Sequence, residues 1–560
     1  MKTFYTFSFL LCTLVSFSQK KWTGAGGDGN WSTAANWNGG IIPATTDDVI
    51  LDNTSVAGSY SVTLPNTAVT VKTISITPAT GNTITLLLPT SNTLHPALTL
   101  SGPGNVITLN NGGVFKNSSG ASSSSPDVIG INTTDSIRIN NGGKYIHNNA
   151  RAHAYLIDQL SSANGTEKGI FKFDVPGAGG YTLYLTGNKY GTLELFADSA
   201  GGTKTYTGSG ASDLIIRGDL LINSGVSFNS TMTANINIAG NLVINGNFDN
   251  SPGTVAATGR SILFNGTSGQ TISGTGNFTF GSNFRNIEAS AGSTINLQRG
   301  IDLTNAGNLF LVNAGGTLQT GSNVINGTGT FRLNSNGNLG IGSANGIAAT
   351  TATGNIQTTT RNFNTGANYE YNGSAAQVTG DGLPATINQL KINNSNSVSL
   401  TNSTLVSSLL TLVSGDLITT AGEVLTLDNT AIVSSSLDIY GKTDEGNGGS
   451  YIDGPVKINM NTATTKAAPL FLPVRIQKIN SGAVTYTVQY FHAKYPDLTA
   501  EPPLDHVSAI EYWSVLSNVS GTISDAKLTL SWRPVSSVGN FAPYYNPSKG
   551  IGRSYDCALL

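Results

Sequence analysis

The feature that most restricts this chain is a short unit that recurs within residues 212–250. Gly218-Asp219-Leu220-Leu221-Ile222-Asn223-Ser224-Gly225-Val226 is followed 22 residues later by Gly240-Asn241-Leu242-Val243-Ile244-Asn245-Gly246-Asn247-Phe248. Each copy is an aliphatic run too short to be a stable helix, opened by Asp or Asn and closed by Asn with Gly or Ser-Gly. One such strand cannot bury an apolar face by itself, whereas stacked copies cover one another, so the repeat predicts a solenoid. Composition agrees: only 11% of residues are charged and 3 are Met, against 67 Gly and many Asn, Thr and Ser, which disfavours helices and favours short strands joined by tight turns. Disorder is excluded by periodicity, because the 38% of hydrophobic residues arrive in spaced clusters.

A longer period overlies the short one. Ile262-Leu263-Phe264-Asn265-Gly266 and Tyr369-Glu370-Tyr371-Asn372-Gly373 are each followed by a glutamine strand, at Gln270 and Gln377, an offset of 107 residues. Phe171-Lys172-Phe173 reads as an earlier copy, and Glu194 and Glu288 take equivalent strand positions in successive blocks. A block of about a hundred residues is thus duplicated, which lengthens a solenoid without posing a new folding problem. The expected fold class is all-β: a right-handed parallel β-helix over 97–440, preceded by a Trp-rich cap and first coils over 19–96. Asn-Asn-Gly-Gly turns at 110–113 and 140–143 supply corners, since Asn and Gly tolerate positive φ. Asn at equivalent places, Asn223 and Asn245 among them, is expected to form hydrogen-bonded ladders along the stack. Small β-sandwiches of block length are the structural alternative. Over 441–560, longer alternating strands and more aromatics predict an antiparallel β-sandwich-like module.

The N-terminus carries Lys2, an apolar run over 7–17 and Ser16-Phe17-Ser18, the pattern of a secretory signal peptide spanning 1–18. The run falls short of the roughly 20 residues a bilayer requires, so no transmembrane segment is expected in the mature chain. Cys12 would leave with the signal, and Cys557 alone excludes an internal disulfide or a multi-cysteine metal site. A net charge of -2 without basic runs argues against nucleic acid.

Three of the five tryptophans, Trp22, Trp31 and Trp37, fall beside Gly turns near the start. We read them as a cover for the raw end of the first coil; the alternative is a sugar-binding platform of aromatic faces. The pattern W-T-G-x-G-x-D-G-x-W-x-x-x-x-N-W, ending in Pro43 and Asp47-Asp48-Val49-Ile50, resembles the start of secreted, autotransporter- or adhesin-like repeat proteins of Bacteroidota. The order Gly454-Pro455-Val456, Phe471-Leu472-Pro473-Val474, Glu511-Tyr512-Trp513, Leu530-Ser531-Trp532 is similar to the module that follows their β-helix. The resemblance implies a secreted or cell-surface protein. It also implies a type IX sorting domain, which this sequence lacks, so it suggests a truncated reading or another route out.

The densest group of histidines and cations, Lys144, His147, Arg151 and His153, is the enzyme candidate. β-Helical polysaccharide lyases use a Lys or Arg base and a cation that neutralises a uronate carboxylate, and these four could supply both. The favoured reading is a short helical or loop insertion that packs Tyr155, Leu156 and Ile157 and leaves its charges in water. Two histidines without a third ligand fall short of a metal site. Asp28, Asp47, Asp48 and Asp52 could hold Ca2+, although Asp at turns more often bonds its own backbone. The sequence therefore predicts a structural or adhesive surface protein without cofactor, whose partner is an extracellular polysaccharide or cell-surface glycan met through weak contacts. A polysaccharide lyase is the alternative.

Overall fold

The computed structural model describes residues 19–121, 127–160, 167–198, 202–250, 261–280, 286–350, 352–435, 450–461, 474–478, 482–491, 512–519 and 526–530, with isolated positions between 493 and 499. The proposed signal peptide, His492, His506 and Cys557 lie outside these residues. The described chain is nearly all β, its one α-helix being the single turn Ala154–Asp158. It divides into two compact units that meet in sequence at Asn229 and Ser230.

Up to Lys144–His147 the chain of the N-terminal unit visits three parallel sheets in rotation, and beyond it two further parallel sheets, entered at Gly179–Tyr184 and Lys189–Tyr190, alternate with the second. The first holds Gln19–Lys21, Asp48–Asp52, Thr73–Thr77, Asn105–Leu109 and Ser136–Ile139; the third holds Val69–Val71, Leu98–Leu100 and Ile129–Gly130. The second runs from Tyr60–Thr63 through Ile84–Leu88, Gly113–Asn117, Lys144–His147, Ile170–Phe173 and Thr192–Leu195 to Leu220–Ile222. Because side chains alternate across a strand, in-register stacking turns each inward position into a column. One column reads Val62, Leu86, Phe115, Tyr145, Phe171, Leu193, Leu220, each 1% exposed or less. The next column reads Leu88, Asn117, His147, Phe173, Leu195, Ile222. Asn117 and His147 interrupt an otherwise apolar row, and that interruption locates the candidate site.

The C-terminal unit uses the same device. Strands Ile236–Ile238, Ser261–Phe264, Asn286–Ala289 and Leu309–Val312 stack in one parallel sheet. Leu242–Ile244, Gln270–Ser273, Thr294–Leu297, Thr317–Gln319, Asn338–Ile341 and Asn368–Tyr371 stack in a second. The 107-residue repeat is reproduced here with an unforeseen shift. Tyr369, the counterpart of Ile262, lies in the sheet that holds Gln270, so the later copy has advanced by one face. Gln377 has moved on likewise, into the sheet of Gln377–Val378, Val398–Ser399, Leu417–Ile418 and Ile452–Asp453. Coil length varies with the corners, and the accumulated length decides the face on which a strand falls.

Parallel pairing persists past residue 440, since Ile452–Asp453 still stacks on Leu417–Ile418. It ends at Pro455–Met460, which pairs in parallel with Leu425–Leu427 on one edge and antiparallel with Val484–Phe491 on the other. Tyr512–Ser517 then adds antiparallel to Val484–Phe491, and Val474–Lys478 pairs antiparallel with Ala526–Leu530.

Candidate functional site

The N-terminal tryptophans are inside the protein. Trp22, Trp31 and Trp37 are 2, 1 and 2% exposed, and their rings meet edge to face at centroid distances of 5.0 Å (Trp22–Trp37) and 4.7 Å (Trp31–Trp37). The Trp37 indole N–H donates to the Trp31 carbonyl at 2.7 Å, and the Trp31 amide donates to Thr63 O at 2.9 Å, which ties the segment to the first strand of the second sheet. The rings are packed as core; a sugar platform needs an exposed ring face, and these rings present none.

The nearby carboxylates are engaged by the protein. Asp28 accepts from the Thr33 hydroxyl at 2.6 Å, the Asn30 amide at 3.0 Å and the Asn36 carboxamide at 2.7 Å, and those bonds, Thr33 first, hold it well below the usual carboxylate range. Asp47 accepts from the Ala44 amide at 2.8 Å; Asp48 faces Lys72 at 3.1 Å and Thr73 at 2.6 Å. Asp52 pairs with Lys21 at 3.6 Å. Each works as a turn or ladder residue, and among the described residues no cluster of three or more His, Cys, Asp or Glu side chains is placed to hold a metal ion.

Lys144, His147, Arg151 and His153 do not share a surface. Strand Lys144–His147 alternates, so Lys144 faces outward, 3.5 Å from Glu194, which also meets Lys172 at 3.7 Å. His147, Arg151 and His153 turn inward, at 1, 1 and 5% exposure. The insertion does fold as a helix with Leu156 and Ile157 buried, as expected, but the expectation that its charges stand in water fails for Arg151 and both histidines.

What receives the histidines is Tyr181, in the next coil. Its hydroxyl donates to Arg151 O, so its oxygen accepts from His147 Nε2–H at 2.8 Å and from His153 Nδ1–H at 2.7 Å. The Tyr184 amide donates to His153 Nε2 at 3.0 Å. These bonds fix both tautomers: His153 carries its proton on Nδ1, and His147 carries its proton on Nε2, leaving a buried Nδ1 without a partner. Burial lowers the His147 pKa to about 4 and lowers His153 further, with His147 adding repulsion. Two neutral imidazoles closed on a tyrosine offer no base lone pair to solvent. Glu167 is also interior, 3.4 Å from Arg138 and 4.0 Å from Arg217. Tyr181, Tyr184 and Glu167 carry no local sequence signal, because their partners lie about one coil away.

The outward rows carry short neutral side chains in ladders. Asn140 donates to Asn110 at 2.7 Å, Asn368 to Asn338 at 2.9 Å, Asn388 to Asn368 at 2.8 Å and Asn277 to Asn247 at 3.0 Å. Asn223, expected in such a row, donates instead to Leu195 O at 3.0 Å and Glu194 at 3.4 Å, because the register sets Phe196, not an asparagine, beside it in the preceding coil. Stacked parallel strands with carboxamide rows define the class, an all-β protein of solenoid type. No protein-family model, curated protein or solved structure matches the chain. Among the described residues no helix is long and apolar enough to cross a membrane.

Proposed function

We propose that the chain is a secreted or cell-surface structural and adhesive protein, built on a right-handed parallel β-helix with a sandwich-like C-terminal module. The observation that carries this reading is the run of asparagine ladders on the outward rows, Asn338, Asn368 and Asn388 above all. Carboxamides at strand spacing meet sugar hydroxyls with one hydrogen bond each, and repetition along a row multiplies weak contacts into useful avidity. Secretion rests on the signal-like segment before Gln19, and a glycan or polysaccharide partner on the neutral polar surface. No cofactor is required. The buried histidines, closed on Tyr181, favour a structural role for the segment singled out as a lyase centre.

The test is a glycan array run beside a depolymerisation assay on uronate polymers, both on the same purified chain. Weak, multivalent binding without new double-bond absorbance supports the reading. Cleavage would replace it with the lyase, and the absence of any glycan binding would remove the adhesive half.

A further inference from the structure

The two glutamines of the long repeat share three bonds, and Gln377 Oε1 accepts a fourth from the Asn394 carboxamide at 2.8 Å. Gln270 Oε1 accepts from the Gly266 amide at 2.9 Å while its Nε2 donates to Ile238 O at 2.8 Å and Gly240 O at 2.6 Å. Gln377 Oε1 accepts from the Gly373 amide at 2.7 Å while its Nε2 donates to Ile341 O at 2.9 Å and Ser343 O at 2.8 Å. Both side chains are buried, at 1 and 3% exposure. In each copy the glycine so held follows an asparagine, Asn265 or Asn372, and Asn265 is exposed.

Asn-Gly is the dipeptide most open to self-modification, because glycine offers no side chain to hinder its nitrogen. The glycine N loses its proton and attacks the asparagine Cγ, Nδ2 leaves as ammonia, and water opens the succinimide to aspartate or isoaspartate. Attack requires a glycine nitrogen free to give up its proton and swing toward Cγ. An N–H donated to a buried carboxamide, itself anchored to two carbonyls of the preceding coil, has neither freedom.

Asn141-Gly142 stands in the opposite state. Both residues are exposed, and no hydrogen bond of the Gly142 N–H is seen among the described residues. The Asn141 Oδ1 accepts from the Lys168 amide at 2.8 Å, which polarises Cγ and stabilises negative charge as it develops on that oxygen. We propose that Asn141 is a site of spontaneous succinimide formation, and that Gln270 and Gln377 are guards that hold Asn265 and Asn372 unmodified.

Ageing the full chain at mildly alkaline pH, followed by peptide mapping and isoaspartyl-methyltransferase labelling, tests both halves. In the parent protein Asn141 should convert several-fold faster than Asn265 or Asn372; equal rates overturn the proposal. Gln270→Met should accelerate conversion at Asn265 alone, and Gln377→Met at Asn372 alone, whereas an unchanged rate at the matching site overturns the guarding role. Should Gln270→Met unfold the chain, conversion would rise at Asn111-Gly112 as well, and the parent protein then decides: conversion of Asn265 in the folded parent at the rate of the unfolded chain overturns the guard.

Discussion

The interiors of the two units handle polarity differently. In the N-terminal unit titratable groups go inside: His147 and His153 close on Tyr181, and Glu167 sits near Arg138 and Arg217. In the C-terminal unit the inward polar groups that shape the corners are neutral, as with Gln270 and Gln377, and they close on backbone of the preceding coil. An amide brings donors and acceptor in one side chain and is satisfied by any corner that presents carbonyls. An imidazole needs a partner in a particular place, and here that partner is Tyr181, supplied by the next coil. The neutral device can be duplicated and moved to another face, and the repeat shows that it was; the titratable one cannot.

The largest expected effect tests whether stacking alone holds the C-terminal unit. Leu242 is fully buried in a parallel column, paired with Ile272, and Leu242→Asp places a carboxylate there without a partner. Such a change costs upward of about 4 kcal/mol. Thermal unfolding should show loss of the transition that belongs to this unit, and an unaltered melting temperature would break the stacking account. The next effect separates the units by acid. His147 has a folded pKa near 4 against an ordinary value of 6.5, so the unfolded chain takes up the proton first as pH falls. Its contribution is fully present above the unfolded value and is lost on the way down to about 4, at roughly 1.4 kcal/mol per pH unit, or about 3 kcal/mol in all. His153 acts in the same direction. The described residues of the C-terminal unit hold no histidine, so hydrogen-exchange protection, referred to the intrinsic amide rate at each pH, should fall between pH 7 and pH 4 in peptides around 144–184 before those around 286–341. Simultaneous loosening would erase the distinction. Tyr181→Phe is the mutational counterpart. It removes the acceptor shared by two N–H groups and should cost about 2 kcal/mol, while the acid response, which comes from burial, keeps its direction.

Much of this was legible in the sequence, and what was not has a common cause. The strand unit and the turns are patterns within one or two coils, and each is found where its pattern placed it; the spacing of Gln270 from Gln377 is a longer repeat, visible because the same residues recur. The face on which a repeated strand falls is not local, since it depends on the summed lengths of all intervening corners; hence Tyr369 stacks in the sheet of Gln270 rather than that of Ile262. The histidines were visible as a cluster, but their burial depends on Tyr181, 28 residues beyond His153, which nothing near them announces. Lys144 and His147 are close in sequence and were grouped for that reason, although strand alternation sends them to opposite sides.

The smallest expected effect concerns the corners and asks whether the units also differ in how tightly their turns are stacked. Gly112 and Gly292 hold matching places in their turns, with φ of +79° and +77°, and each donates its amide to a glycine carbonyl of the next turn, Gly142 at 3.0 Å and Gly315 at 2.9 Å. Alanine strains both by about 1 kcal/mol, because its Cβ crowds the backbone in the left-handed region. At Gly292 that is the whole cost, since a Cβ there meets nothing within 4 Å, and a less floppy unfolded chain offsets part of it. At Gly112 the same Cβ would run into the carbonyl oxygen of Asn82, which cannot move without disturbing the turn below. Gly112→Ala should therefore cost more than about 2 kcal/mol and Gly292→Ala less than about 1. Denaturant midpoints of the two variants measure the gap. Equal costs would mean that Asn82 yields freely, and the turn at Gly112 would then be no more tightly stacked than the turn at Gly292.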